Sequence, residues 1–132
     1  MNSLPRLRVA RPSNNLERLL PFYRDGLGFE VIGGFEDHNR WDGIMLGHPG
    51  WPYHLEFTRH HDGEVAPRAP TPDHLLVFYL EDRAEWQAAL TRMFEAGQAQ
   101  VSSVNPYWDA HGATFEDPDG YRVVLYHGSW SR

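Results

Sequence analysis

The chain has 132 residues, a formal net charge of −6 at neutral pH and no cysteine. Its length suits one domain, and the absence of cysteine excludes disulfides, thiolate metal sites and a cysteine nucleophile. The acidic balance argues against nucleic acid as a partner. Because no apolar run approaches the ~20 residues of a membrane span and no signal-peptide pattern opens the chain, we expect a cytoplasmic protein that does not enter a membrane.

The first half of the sequence predicts a strand, a helix and three more strands. The strands are predicted at residues 7–10, 29–35, 41–46 and 53–58. Asn14 and Glu17 form a capping pair in front of the helix, while Pro21 removes one helical hydrogen bond. Apolar residues at helical spacing give the helix one buried stripe, formed by Leu16, Leu19, Leu20, Tyr23 and Leu27.

A segment rich in proline and glycine separates the two halves of the chain. It contains Gly63, Pro67, Pro70 and Pro72, a density that is typical of a linker or long loop. We therefore predict a single domain over residues 1–132. Module one covers about residues 5–60, the linker about residues 61–72 and module two about residues 73–128.

The second half repeats the order of elements seen in the first half. Strands are predicted at residues 75–80, 99–104, 113–116 and 122–126, and Asp82 with Glu85 caps the intervening helix. Its apolar stripe consists of Trp86, Ala89, Leu90, Met93 and Phe94, and Gly97 ends it. The sequence therefore predicts an α+β fold built from two successive β-α-β-β-β modules.

Several segments resemble the vicinal oxygen chelate superfamily, which groups glyoxalase I, extradiol dioxygenases and bleomycin-resistance proteins. The segment FYRDGLGFEV at residues 22–31 resembles the end of the first helix and the turn after it. The segments YHLEF at residues 53–57 and HLLV at residues 74–77 resemble the fourth and fifth strands, and FEDPDGYRV at residues 115–123 resembles the closing hairpin. The resemblance spans nearly the whole chain in the same order.

The resemblance implies a curved mixed β-sheet cup that holds a ligand or a metal. The metalloenzymes of the superfamily take one metal ligand from each of strands one, four, five and eight. Carried over to this chain, those positions are Arg8, Glu56, His74 and Val124. Only Glu56 and His74 are competent ligands, because an arginine is a permanent cation and a valine has no donor atom.

The polar residues of the expected cup leave three interpretations open. A divalent metal ion would bind Glu56 and His74, with His54 as a replacement ligand because it lies two residues before Glu56 on a strand. Without a metal, His74 oriented by Glu56 would act as an acid–base catalyst. In the structural interpretation, Glu56 pairs with Arg8 or His74, because a buried carboxylate needs a partner.

Aromatic residues supply further candidate ligand contacts. The resemblance implies that the residues near the cup are Trp41, Phe78, Tyr107, Trp108 and Tyr126. Such rings stack on planar ligands or cations, although core packing is the more ordinary role for Phe78. His60 and His61 resemble a metal pair, but adjacent strand residues point to opposite faces, so we expect a solvated loop there.

We therefore expect a small-molecule-binding protein of the glyoxalase/bleomycin-resistance type, without the full metal site of the superfamily. Its expected cup residues are Arg8, His54, Glu56, His74 and the aromatic residues above. A metal-dependent lyase or dioxygenase with an atypical ligand set is the first alternative, and a metal-free isomerase or lyase using His74 is the second. By analogy with the superfamily we also expect a homodimer, while no cofactor beyond a divalent metal ion is implied.

Overall fold

The computed structural model describes residues 4–63 and 65–130. Residues 1–3, 64, 131 and 132 lie outside these ranges, and with them part of the N-terminal segment and of the predicted linker. The first module contains β1 (Leu7–Pro12), a 3-10 turn (Glu17–Leu19), a π-helical segment (Pro21–Gly26), β2 (Glu30–His38), β3 (Trp41–Gly47) and β4 (Tyr53–His60). The second contains β5 (Leu75–Leu80), α1 (Arg83–Glu95), β6 (Gln100–Val101), α2 (Tyr107–Ala110), β7 (Gly112–Glu116) and β8 (Arg122–His127).

Each module forms its own four-stranded mixed sheet. The first sheet has the order β1-β4-β3-β2 and the second the order β5-β8-β7-β6. The outer pairs β1–β4 and β5–β8 are parallel, and the others are antiparallel. The predicted α+β fold of two β-α-β-β-β modules is confirmed. In the described ranges, no helix is long and apolar enough to cross a membrane; the cytoplasmic location stays a prediction.

The first predicted helix is split in two at Pro21. A 3-10 turn precedes this proline, and a π-helical segment begins at it, where its missing N–H group costs no hydrogen bond. The wider turn is closed by the Leu27 N–H, which donates to the Phe22 carbonyl over 2.9 Å. The predicted cap at Asn14 is wrong, because the Asn15 side chain accepts the Arg18 N–H instead.

Asn14 instead fastens the linker to the first module. Its side-chain amide donates to the Ala66 carbonyl over 3.1 Å and its side-chain oxygen accepts the Ala66 N–H over 2.7 Å. Farther along the linker, the Ala69 N–H donates to the Asp119 carbonyl in module two. Arg68 donates to the Pro118 carbonyl in the same turn. The linker is therefore hydrogen-bonded to both modules.

The second module follows the sequence more closely, with one strand much shorter than expected. Asp82 caps α1 as predicted by accepting the Ala84 N–H over 2.9 Å, and the chain leaves the helix through Gly97 at a φ of +81°. Instead of residues 99–104, β6 contains only Gln100–Val101. The Ser103 N–H donates to the carboxylate of Asp109, so a side chain takes the place of a strand partner.

One hydrophobic core unites the two modules. Its fully buried residues come from both, including Leu19, Phe22, Tyr23, Leu46, Met93, Phe115 and Val123. The π-helical segment packs directly on α1, because Gly26 has no side chain. A Cβ at this position would lie 2.7 Å from the Met93 sulfur. Each sheet thus buries one face in a shared core, and its other face is turned away from that core.

A buried hydrogen bond crosses this core between the modules. The Tyr23 hydroxyl donates to the Asp117 carboxylate over 2.5 Å, and the same carboxylate accepts the backbone N–H groups of Asp119 and Tyr121 over 2.9 Å. Burial raises the pKa of Asp117 and raises the pKa of Tyr23 well above its ordinary value. Beside them, the Arg11 guanidinium lies 4.0 Å from the centroid of the Tyr121 ring.

Removing the Tyr23 hydroxyl should destabilise the fold. We expect Tyr23→Phe to lower the free energy of unfolding by about 1–3 kcal/mol, because a buried carboxylate loses a donor. Urea unfolding of both proteins measures the difference. Tyr53→Phe is the matched control, since the Tyr53 hydroxyl has no hydrogen-bond partner among the described residues, and we expect a change within about 0.5 kcal/mol. Equal effects of the two substitutions would contradict the assigned bond.

The raised pKa of Asp117 predicts a pH dependence with a defined sign. The folded protein retains a proton that the unfolded chain releases near the ordinary value of 3.8. The stability contributed by this group is therefore full below that value and is lost as pH rises through the folded pKa. Relative to Asp117→Asn, which does not ionise, wild-type stability should fall as the pH rises above about 4. A difference that stays constant or grows over this range in urea titrations would contradict the prediction.

Candidate functional site

The exposed face of the first sheet brings Arg8, His54 and Glu56 together. Strand alternation turns Leu55 and Phe57 of β4 into the core, so His54 and Glu56 lie on the opposite face. The parallel register pairs Arg8 of β1 with His54, which places the arginine on the same face. We call these three residues the arginine group. They are three of the residues predicted to line the cup.

Arg8 is hydrogen-bonded to both other members of the arginine group. Its Nε donates to His54 Nε2 over 2.8 Å, and its Nη1 donates to Glu56 Oε2 over 3.3 Å. Because His54 accepts at Nε2, this geometry corresponds to a neutral ring with its proton on Nδ1. The Glu56 side chain is 12% exposed and that of Arg8 48% exposed, so the cation lies between a mostly buried carboxylate and solvent.

The four positions implied by the superfamily do not fit a metal ion. Arg8 places a permanent cation against Glu56, and Val124 is buried and has no donor atom. A stable transition-metal site usually takes three or more protein ligands. Among residues 4–63 and 65–130, no three histidine or acidic side chains are placed to hold one.

His74 is not brought to the arginine group. It precedes β5, and its ring contacts Tyr121 with 5.4 Å between the ring centroids. The core-facing residues of β5 are Leu76, Phe78 and Leu80, and His74 lies two residues before Leu76. Leu75 and Val77 lie on the other face, where they pair with Arg122 and Val124 of β8. In the described part of the chain, no hydrogen bond or ion pair joins His74 to Glu56 or His54, so the expected pair does not form.

The predicted aromatic residues divide between the core and the exposed faces. Phe78 packs in the core, where its ring lies 5.8 Å from Phe29. Trp41 is 42% exposed and contacts the ring of His60 at 4.6 Å, at the far end of the face that carries Glu56. His61, predicted to lie in a solvated loop, instead has Nε2 2.8 Å from the Asp42 carboxylate.

Tyr126 is the centre of an aromatic group on the second sheet. Its ring stacks on Tyr107 at 6.1 Å and meets Trp108 and Tyr79 edge-on at 5.9 and 5.5 Å. A hydrogen bond with Tyr107 is the largest cause of its raised pKa. The chain before β7 folds over this face, and Gly112 permits the contact, because a Cβ there would lie 2.5 Å from the Trp108 carbonyl.

A further cleft, which was not predicted from the sequence, lies elsewhere among the described residues. It has a volume of about 760 Å³ and opens beside the edge strand β2, on the core-facing side of the first sheet. We call it the side cleft. Its lining includes Leu16, Glu17, Leu20, Val31, Gly34, Glu36, Asp42, Ile44 and Arg59. The only sequence signal for it is the pair Gly33–Gly34, since glycine inside a strand often marks a close approach by a ligand or another backbone.

Two family profiles match this chain and together cover most of it. The YycE-like N-terminal domain matches residues 7–58, and the YycE-like C-terminal domain matches residues 73–127. The YycE protein of Bacillus subtilis is 45% identical over 119 residues, which are 90% of this chain and 85% of that protein. Its crystal structure superposes with a TM-score of 0.84 at 43% identity, covering 96% of this chain and 91% of that one. That protein is of unknown function, with a provisional assignment as a glyoxalase or fosfomycin-resistance protein.

More distant structures share the fold. Glyoxalase I of Leishmania major superposes with a TM-score of 0.70 at 20% identity, covering 96% of this chain and 88% of that one. TnmS3, an antibiotic-binding protein of Streptomyces sp. CB03234, superposes with a TM-score of 0.63 at 21% identity, covering 97% and 98%. At this identity the likeness concerns the fold alone. The matches confirm the resemblance to the vicinal oxygen chelate superfamily, and the chain belongs to the YycE-like family within it.

Proposed function

We propose that this protein binds a small molecule carrying an anionic group, and that Arg8 is the residue that pairs with that group. The observation that carries the proposal is the arrangement of the arginine group, in which Arg8 contacts His54 at 2.8 Å and Glu56 at 3.3 Å. Arg8 and Glu56 stand at two of the four positions where metalloenzymes of the superfamily hold a metal. A guanidinium there offers the ligand a fixed cation without a metal ion.

Arg8 keeps donors free for a ligand. A guanidinium has five N–H donors, and in this structure Nε and one Nη1 hydrogen are used. Its contact with Glu56 is longer than the 2.7–2.9 Å that is typical of charge-assisted hydrogen bonds. The mostly buried Glu56 carboxylate would keep this contact, so a ligand would use the donors that remain. A ligand carboxylate or phosphate would accept a forked pair of hydrogen bonds from Arg8, while Glu56 keeps the arginine in place when the cup is empty.

The enzymatic alternatives have less support from the geometry. A metal-dependent lyase or dioxygenase would need ligands that the positions of Arg8 and Val124 do not supply. A metal-free isomerase or lyase using His74 would need that histidine beside Glu56, whereas its ring contacts Tyr121. The antibiotic-binding protein TnmS3 has the same fold, which supports binding of a small molecule as a function this architecture can have.

We propose further that the cup is completed by a second copy of the chain. The shared core occupies one face of each sheet, so the arginine group and the aromatic group lie on faces turned away from it. Tyr107 is 59% exposed and Tyr79 40%, an unusual exposure for rings that cluster. A symmetric dimer would set the arginine group of one copy against the aromatic group of its partner, which makes two equivalent sites.

Replacing Arg8 should remove anion binding without unfolding the protein. Ligands are first selected among small carboxylates, phosphates and thiol conjugates as those that raise the melting temperature of the wild type. We expect these ligands to bind Arg8→Met at least about tenfold more weakly, since a charge-assisted pair is lost. Calorimetric titration gives both affinities. Arg18→Met is the matched control, because that exposed side chain has no partner among the described residues. Unchanged binding by Arg8→Met, or one equivalent of transition metal lost in Glu56→Ala, would contradict the proposal.

The proposed dimer predicts complementation between two inactive variants. Arg8→Met damages the arginine group and Tyr107→Ala the aromatic group, so each variant alone should bind ligand poorly. After unfolding and refolding of an equal mixture, random pairing would restore about a quarter of the sites, because each mixed dimer has one site with both halves intact. Titration of the refolded mixture measures the fraction. No recovery, or an ultracentrifugation profile of a monomer, would contradict a shared cup.

A further inference from the structure

We propose that the side cleft is a second binding site, for an organic cation with an apolar body. The proposal is independent of the arginine group. The side cleft lies on the core-facing side of the first sheet, because its residues Asp42, Ile44 and Arg59 alternate with Trp41, Met45 and His60 on the other face. A ligand bound there would not contact Arg8, His54 or Glu56.

The size and floor of the side cleft suit a small ligand. Its volume of about 760 Å³ lies within the range of about 300–1,000 Å³ that holds ligands of drug size. The apolar floor consists of Leu16 and Leu20 from the helical part and of Val31 and Ile44 from the sheet. Val31 is 48% exposed, and the apolar body of a bound ligand would cover its side chain.

Negative charge dominates the rim. Glu17, Glu36 and Asp42 line the cleft together with one cation, Arg59. Arg59 pairs with Asp42 at 3.8 Å, and Asp42 also binds His61. In the described part of the chain, the carboxylates of Glu17 and Glu36 have neither a hydrogen bond nor an ion pair. The two free carboxylates would attract a cationic group and repel an anion.

The edge strand itself disfavours a protein as the occupant. A partner strand would need a regular edge, but the pairing of β2 is irregular between Val31 and Gly33 and again between Phe35 and His38. Such bulges are a common way in which edge strands avoid pairing with another chain. Gly34 pairs with Ile44 and has no side chain on the cleft side of this strand, and a Cβ there would lie 3.0 Å from the Gly43 carbonyl oxygen. A glycine inside a strand is typical of a close approach by a ligand or another backbone.

Three compounds with one phenyl ring test the charge preference. The cation is 2-phenylethylamine, the neutral compound 2-phenylethanol and the anion 3-phenylpropionate. Two-dimensional amide NMR of the full chain should show the cation shifting the signals of Gly33, Gly34 and Ile44. We expect the cation to bind at least about tenfold more tightly than the neutral compound, and the anion to produce no shifts at these residues.

Substitutions locate the charge and the site. The double variant Glu17→Gln/Glu36→Gln should weaken binding of 2-phenylethylamine by about tenfold. Glu95→Gln is the control, since it removes the same kind of charge from an exposed carboxylate that has no partner in the described ranges. Val31→Trp, at a half-exposed position, should block the cleft without opening the core. Equal binding of the three compounds, no shifts at all, or shifts confined to residues 8, 54 and 56 would overturn the proposal.

Discussion

The shared core is the constraint on which the other features of this molecule depend. The helical segments do not cover either four-stranded sheet fully. Each sheet therefore buries one face against the helical segments and the other module. Tyr23 and Asp117 cross this core, and Gly26 sets how closely α1 approaches the first module. Because each module buries one face of its sheet, the arginine group and the aromatic group lie on the opposite faces. Strand alternation then determines which residues those faces carry.

In the proposed site, Arg8 takes the place that a metal ion has in the metalloenzymes of the superfamily. The cation is part of the chain, so it is always present. Unlike a metal ion, it needs no set of ligand atoms to hold it. His54 and Glu56 are its two hydrogen-bond partners, at 2.8 and 3.3 Å, and both accept from the guanidinium. A site of this kind favours recognition of an anion over polarisation of a carbonyl, because a guanidinium spreads its charge over three nitrogens and lacks the Lewis acidity of a metal ion.

The sequence predicts the fold well because its signals are local and repeated. Strand periodicity places His54 and Glu56 on one face, and the capping signal at Asp82 is correct. His74 is different, because it precedes β5, and β5 is apolar at every position, so no alternation in the sequence indicates which face His74 lies on. The short β6 depends on a single side chain, Asp109, that competes for a backbone donor. The side cleft was missed because it arises where a split helical segment leaves an edge strand uncovered.

The linker has a consequence for how copies of this protein could exchange parts. It is fastened by Asn14 to one module and by the carbonyls of Pro118 and Asp119 to the other. Because the linker is hydrogen-bonded to both modules, it holds the two modules of one chain next to each other. Asn14→Ala would remove both hydrogen bonds that hold Ala66 to the first module and would loosen the connection between the modules. The hydrogen bonds of Asn14 thus shorten the free length of chain between the modules, which favours their pairing within one chain over exchange between chains.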